Sequence, residues 1–262
     1  MIHSEVLGTQ QQPIPYVYVR PSDVVWATVL WKTIDLNEDF NQYIYFPLDQ
    51  EDRSGKKSLA YVIWEAMERS EIPIYEDDEL KVPIDNELFV ARYTKADTIQ
   101  LEIGYDEDDN ELYQTVIVPK YFDGAEVYQY YLREIWFIDK QNTGLDSRRL
   151  ALAPTKDIYV TLKSSREEIY MGHAPLFWIP MQDPSVRRVM AQHKAYLDEQ
   201  NYVSQPSWDF VFVHQYYNAY VTRESNRYNR TISDYATGHD AILEASRIVE
   251  KVFSIGEDMW EY

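Results

Sequence analysis

Apolar and polar positions alternate with a period of two from Val127 to Asp139, the pattern of a β-strand. Tyr128, Tyr130, Leu132, Trp136 and Ile138 fall on one face, with Gln129, Arg133 and Asp139 on the other. Gln141-Asn142-Thr143-Gly144 follows, and Asn and Gly accept the positive φ that a hairpin tip needs. Arg148 to Pro154 is expected to return antiparallel, with Pro154 lacking a ladder donor and ending the strand. That hairpin offers Asp139 a guanidinium partner in Arg148 or Arg149. Ile99–Tyr105 and Leu112–Val118 alternate in the same way about the acidic tip Asp106-Glu107-Asp108-Asp109-Asn110-Glu111. Asp157–Lys163 and Leu176–Met181 read as further strands.

Elsewhere the spacing is helical. Ser22 or Asp23 is expected to cap a helix running toward Ile34, with Val24, Thr28 and Trp31 on one stripe and Val25 beside it. A second helix runs from Leu59 to about Ser70, capped by Ser58, with Leu59, Val62, Ile63, Ala66 and Met67 inward and Glu65 placed four before Arg69. Asp183-Pro184 starts another, with Val186, Met190, His193 and Leu197 on one stripe and Arg187, Arg188 and Lys194 forming a cationic face. Ser207 opens a helix in which Phe210, Val213 or His214, Tyr217 and Val221 recur at helical spacing. The last runs from Asp240 toward Tyr262, with Ile242, Ala245, Ile248 or Val249, and Val252 inward and Gly256 a candidate break.

Helices, then strands, then helices indicate an α+β domain whose mainly antiparallel sheet is flanked by helices. Residues 1–21 read as an extended N-terminal arm and residues 22–262 as a single domain. In the arm, Pro13, Pro15 and Pro21 bracket Ile14, Tyr16 and Tyr18, a segment suited to a sheet edge on another protein, the alternative being a floppy or self-packed terminus.

Composition narrows the class. Hydrophobic residues make up 45% of the 262, enough for a substantial core, and 15% are aromatic, with 23 Tyr and 7 Trp. Such rings serve β-rich cores, sugar sites and protein interfaces alike. A net charge of −19 argues against nucleic acid or anionic lipid as partners. The acidity is regional, because the stretch from Glu71 to Glu111 carries 11 of the excess negative charges. There is no cysteine, which excludes thiolate chemistry and disulfides, and no apolar run reaches the ~20 residues of a membrane span.

Candidate chemistry is sparse. His3, His173, His193, His214 and His239 have no zinc-helix spacing, and His193 and His214 lie near apolar stripes. Asp106, Asp108 and Asn110 open like a calcium loop, but Glu111 stands where Gly is needed and Ile117 where Glu is needed. Gly55-Lys56-Lys57-Ser58 lacks the first glycine of a phosphate loop. Glu126, Glu134 and Asp139, with Tyr128, Tyr130 and Trp136, would make a glycosidase-like or glycan-binding cleft if they converged. No cofactor, metal or catalytic residue is expected in the favoured reading.

Ile135-Trp136-Phe137-Ile138-Asp139-Lys140-Gln141 and Arg149-Leu150-Ala151-Leu152-Ala153-Pro154 resemble the signature of the GldN/PorN family of the Bacteroidetes type IX secretion and gliding machinery. Trp26–Leu36, Tyr45-Phe46-Pro47, Phe177-Trp178-Ile179, Arg223-Glu224-Ser225-Asn226 through Arg230, and Glu257-Asp258-Met259-Trp260-Glu261 follow in the family's order. The departures are Leu150-Ala151-Leu152 and Ile138. The resemblance implies a non-enzymatic structural subunit at the periplasmic side of the outer membrane, with the signal peptide removed. It implies assembly with a GldK/PorK-like lipoprotein and copies of itself in a ring, and contact with GldL/GldM-like inner-membrane motor components. The Arg223 to Arg230 segment is expected to form a buried network fixing helices against the hairpin. Ile14, Tyr16 and Tyr18, the Arg187-Arg188-Lys194 face and the acidic stretch are the candidate interfaces.

Overall fold

A curled antiparallel sheet orders the molecule, and the computed structural model describes residues 12–48, 57–94, 97–105, 111–118, 121–141, 144–161, 168–197 and 205–258. The chain runs through β1 (Val24–Asp35), α1 (Gln42–Tyr45), α2 (Leu59–Glu68), β2 (Ile74–Tyr75), β3 (Pro83–Ile84) and α3 (Asn86–Tyr93). The middle is β-rich: β4 (Asp97–Tyr105), β5 (Glu111–Val118), β6 (Gln129–Asp139), β7 (Gly144–Thr161), β8 (Glu168–Pro175) and β9 (Ile179–Pro180). Then come α4 (Pro184–Gln192), α5 (Trp208–Val213), β10 (Tyr220–Glu224) and α6 (His239–Asp258). The sheet order is β10-β1-β6-β7-β8, with β9 also on β7, while β2-β3 and β4-β5 form separate pairs. This is the α+β class expected. The acidic tip at 106–110, and Trp260, lie outside the described residues.

The β6–β7 hairpin forms as its alternation predicts, with Asp139 opposite Gly144 and Leu132 opposite Leu152. Val24 to Asp35, however, is a strand and not a helix. Val24, Val25, Thr28, Val29, Thr33 and Ile34 are β-branched and lose χ1 freedom in a helix. As a strand this segment pairs with β6 along nearly its whole length, from Val24↔Asp139 to Asp35↔Gln129.

Pro154 does not end its strand. It lies opposite Tyr130 in the last rung of β6–β7, and the next residue, Thr155, pairs with Pro175 of β8. The missing N–H falls where β7 changes partners; the Pro154 carbonyl accepts Leu176 N–H at 2.8 Å and Thr155 Oγ1 donates to Gln129 O at 2.9 Å. Asp157 onward is therefore the second half of β7, not a separate strand.

Two helices stop short of their patterns, and a third passes through its expected break. The α4 helix stops at Gln192, because His193 and Ala195 bond instead to the chain at Trp208 and Pro206. The Ser207 helix stops at Val213; Gln215 takes φ +55°, and Tyr217 and Val221 belong to a loop and a strand. Gly256 does not break α6 but lets it approach β7, since a Cβ there would lie 3.2 Å from Leu145 Cβ. In the same helix Ile248 and Val252 are buried as expected, but Ile242 is 65% exposed.

One face of the sheet carries two cores. Ile34, Tyr130, Leu132 and Leu152 pack under α2, α4 and α5, and α2 is buried nearly all round, including Tyr61 and Trp64 outside its predicted stripe. Leu30, Trp136 and Val221 pack under α6 with Ile248 and Val252. The opposite face holds Ala151 and Ala153 against Trp178 and Tyr75.

Helix caps differ in kind. Asp183 accepts Ser185 N–H at 2.8 Å, whereas the buried Ser58 hydroxyl at the α2 start makes no cap bond. Asp183→Ala is expected to cost about 1 kcal/mol, whereas Ser58→Ala leaves stability unchanged or raises it, because a buried hydroxyl without a partner is removed. Thermal melts of the two variants check the contrast.

Candidate functional site

Between the two cores on the covered face sits a charge cluster that the strand register assembles. Glu134 of β6 lies opposite Leu30 of β1 and Arg149 of β7 and has no exposed surface. Lys32 Nζ reaches it at 2.7 Å and lies 4.8 Å from the Trp136 ring centroid. Tyr217 donates to the carboxylate at 2.7 Å and Trp136 Nε1–H at 3.0 Å. Burial by itself pushes Glu134 up; the Lys32 and Arg149 charges, with hydrogen bonds from Lys32 and Tyr217, outweigh it and hold the group below the ordinary glutamate range. Gln215 reaches Ser147 Oγ at 2.6 Å, tying the Tyr217 loop to the same strands. Among the described residues no group of three or more His, Asp or Glu is placed to hold a metal.

The opposite face forms an open groove of about 920 Å³ whose wall includes Trp31, Asp78, Tyr131, Trp178, Tyr220 and Arg223. Arg223 Cζ lies 3.5 Å from the Trp31 ring centroid and Arg133 Cζ lies 5.6 Å from it. Asp78 joins all three, accepting Trp31 Nε1–H, pairing with Arg223 at 2.8 Å and receiving Arg133 on its carbonyl at 3.0 Å. Trp178 is 6% exposed, and half-buried Trp31 has the Arg223 guanidinium over its ring. Beyond the groove, the β7–β8 ribbon leaves Ile158, Val160, Ile169 and Met171 exposed, with Tyr159 and Tyr170.

A third cluster holds the arm. Ile14 N–H donates to Asp209 Oδ2 at 2.7 Å and Arg187 Nη2 donates to Ile14 O at 2.6 Å. Arg187 also pairs with Asp209 at 2.9 Å, and Asp209 is 4% exposed. The Tyr16 ring has guanidinium carbons 4.4 Å (Arg187) and 5.1 Å (Arg148) from its centroid, and Arg148 donates to Val17 O.

Several expected placements change. Arg148 and Arg149 lie opposite Ile135 and Glu134, four and five rungs from Asp139, which accepts Gln141 N–H at 3.1 Å. Phe137 lies under Arg148, and Lys140 is exposed with its N–H on Asp23 O. Glu134 and Asp139 are five residues apart on one strand, so they point to opposite faces with roughly 16 Å of backbone between them. Carboxylates of glycosidases lie about 5–9.5 Å apart. Glu126 pairs with Lys156, and Tyr128 is exposed beyond the strand. The carboxylate cleft is therefore not assembled.

Arg223 to Arg230 is not a buried network. Arg223 and Glu224 are half-buried, Glu224 pairing with Lys251 of α6 at 2.9 Å, but residues 225–230 are exposed. Ser225 N–H bonds Val29 O, Asn226 organises the turn by accepting Tyr228 and Arg230 N–H at 3.0 Å each, and Arg230 lies over Tyr228. Nor is Arg187 part of an open cationic face, because buried Asp209 claims it; Arg188 stays exposed and Lys194 half-buried. Tyr18 is 81% exposed. Sequence reasoning passed over Lys32, Asp78 and Asp209 and placed Trp31 and Tyr217 only on helical stripes. Lys32 carried a signal, being a lone cation inside an apolar strand.

These features define an α+β scaffold on a curled antiparallel sheet whose buried charges join its own layers. Residues 19–261 match the family model described as "Gliding motility associated protein GldN", and the chain belongs to that family. No curated protein matches it.

Two expected outcomes follow from the clusters. Glu134→Gln leaves Lys32 and Arg149 buried without their counter-charge and is expected to destabilise by about 3 kcal/mol. A carboxylate held low in the fold adds stability that is complete above its unfolded pKa and lost as pH falls toward the folded value. The wild-type melting temperature should therefore fall more steeply with acid below about pH 4.3 than that of Glu134→Gln. At the groove, Arg223→Ala should cost about 1–2 kcal/mol through Trp31 and Asp78, whereas exposed Arg230→Ala should stay within about 0.5 kcal/mol. Urea titration of the pair measures both.

Proposed function

We propose that this chain is a non-enzymatic structural subunit of the gliding and type IX secretion machinery, acting in the periplasm against the outer membrane. Its partners in this reading are a GldK/PorK-like lipoprotein, further copies of itself in a ring, and GldL/GldM-like motor components. The family match over residues 19–261 carries the proposal. The site geometry supports it, because buried Glu134 and Asp209 are engaged by Lys32 and Arg187 and are closed to a substrate. Exposed Tyr159, Tyr170 and Tyr220 with the apolar β8 ribbon offer the wide amphipathic area that suits protein contact. No helix among the described residues is long and apolar enough to cross a membrane, so attachment through a lipid-bearing partner fits.

The glycan reading rests on the aromatic groove, but Arg223 already occupies the Trp31 face. Affinity purification of the tagged chain from the native envelope, followed by mass spectrometry, is expected to recover a lipoprotein and untagged copies of the chain. A chain recovered alone that binds or hydrolyses a polysaccharide would reverse the assignment.

A further inference from the structure

The Arg187–Asp209 clamp reads main chain. Its carboxylate accepts the N–H of Ile14 and its guanidinium donates to the C=O of the same residue, as one rung of a strand partner would. Side-chain recognition is added by Tyr16 between Arg187 and Arg148. The grip ends at Val17, whose carbonyl Arg148 holds. The chain is next fixed at Arg20–Asp23, where Asp23 N–H bonds Arg20 O and Asp23 accepts from Lys140 N–H and Gln141 Nε2. Between grip and anchor, Tyr18 is 81% exposed.

From these contacts we infer that the clamp is an intermolecular site, filled in the assembly by residues 14–17 of a second copy of this chain. The inference rests on the ring-subunit reading above and names the surface through which copies join. An arm in its own clamp and an arm in a neighbour's clamp make the same contacts, so concentration decides between them. Released, residues 14–20 reach roughly 20 Å from the anchor. Charge favours the arm as the joining part. In a chain of net charge −19, residues 12–22 carry Arg20 and no carboxylate, and they meet Arg148 and Arg187 through an aromatic ring. Each copy gives an arm on one side and takes one on another, a head-to-tail relation that propagates or closes into a ring.

The test uses the full chain, half of it isotopically heavy, with a photo-crosslinking phenylalanine analogue at position 18. Under arm exchange, about half of the crosslinks from the arm to α4 or β7 peptides join light to heavy chains. Ile14→Pro, which removes the N–H that Asp209 accepts, and Tyr16→Ala, which removes the ring, each raise the midpoint of self-association about tenfold or more in light scattering. Both changes lie in the arm and leave the clamp intact. Crosslinks confined to one isotope, variants with the wild-type midpoint, or a chain that stays monomeric throughout would each overturn arm exchange. The envelope purification fails or succeeds independently: a recovered complex with same-isotope crosslinks sinks the arm alone.

Discussion

A full negative charge with no exposed surface lies at the centre of the sheet, and neighbouring elements are placed to offset it. Glu134 on β6 is met by Lys32 from β1, Arg149 from β7 and Tyr217 from the loop before β10. Removing any one of these groups from a site of such low polarity would leave another unpaired. The strand register is therefore constrained chemically as well as by packing. A one-residue slip of β1 against β6 would replace Lys32 with Trp31 or Thr33 on that face, and the carboxylate would lose its cation. The cluster also separates the two hydrophobic cores, so the α2–α4–α5 side and the α6 side meet through polar bonds.

What the sequence disclosed depended on how local the deciding force was. Period-two alternation about Gly144, and about the acidic tip, located two hairpins because turn chemistry and strand pattern agree within a dozen residues. The Asp183-Pro184 start was legible for the same reason. In contrast, Val24–Asp35 has cap-like residues before it and apolar spacing that fits a helix, and only its long pairing with β6 decides for strand. Its β-branched content was the available clue. Pro154 and Gly256 behaved against their local meaning, since a change of partner strand and a close helix–strand approach are tertiary facts. The clusters were less visible still. Lys32, Asp78 and Asp209 come from separate stretches, and nothing near them in sequence names Glu134, Arg223 or Arg187 as the partner.

Membership in the gliding motility family gives this distribution of charge a sense. Acidity that looked like one surface between Glu71 and Glu111 is partly engaged within the chain: Asp77 accepts Lys81 and Val82 N–H and Asp85 caps α3, both at the surface, while half-buried Asp78 holds Trp31 and Arg223. Backbone hydrogen bonds from that turn, chiefly Val82 N–H, hold Asp77 below the usual carboxylate range.

The 18 residues of β7 run from the hairpin end at Gly144 through the charge cluster and past Pro154 into the β8 ribbon, a contour of roughly 60 Å. Tension applied at the ribbon and directed along β7 would load the β6–β7 hydrogen bonds together, in shear, because they lie across the line of pull. Sheets resist that loading far better than peeling, in which rungs open singly. This member of a gliding motility family would therefore have, in one strand, a stiff spar from its projecting edge to its centre.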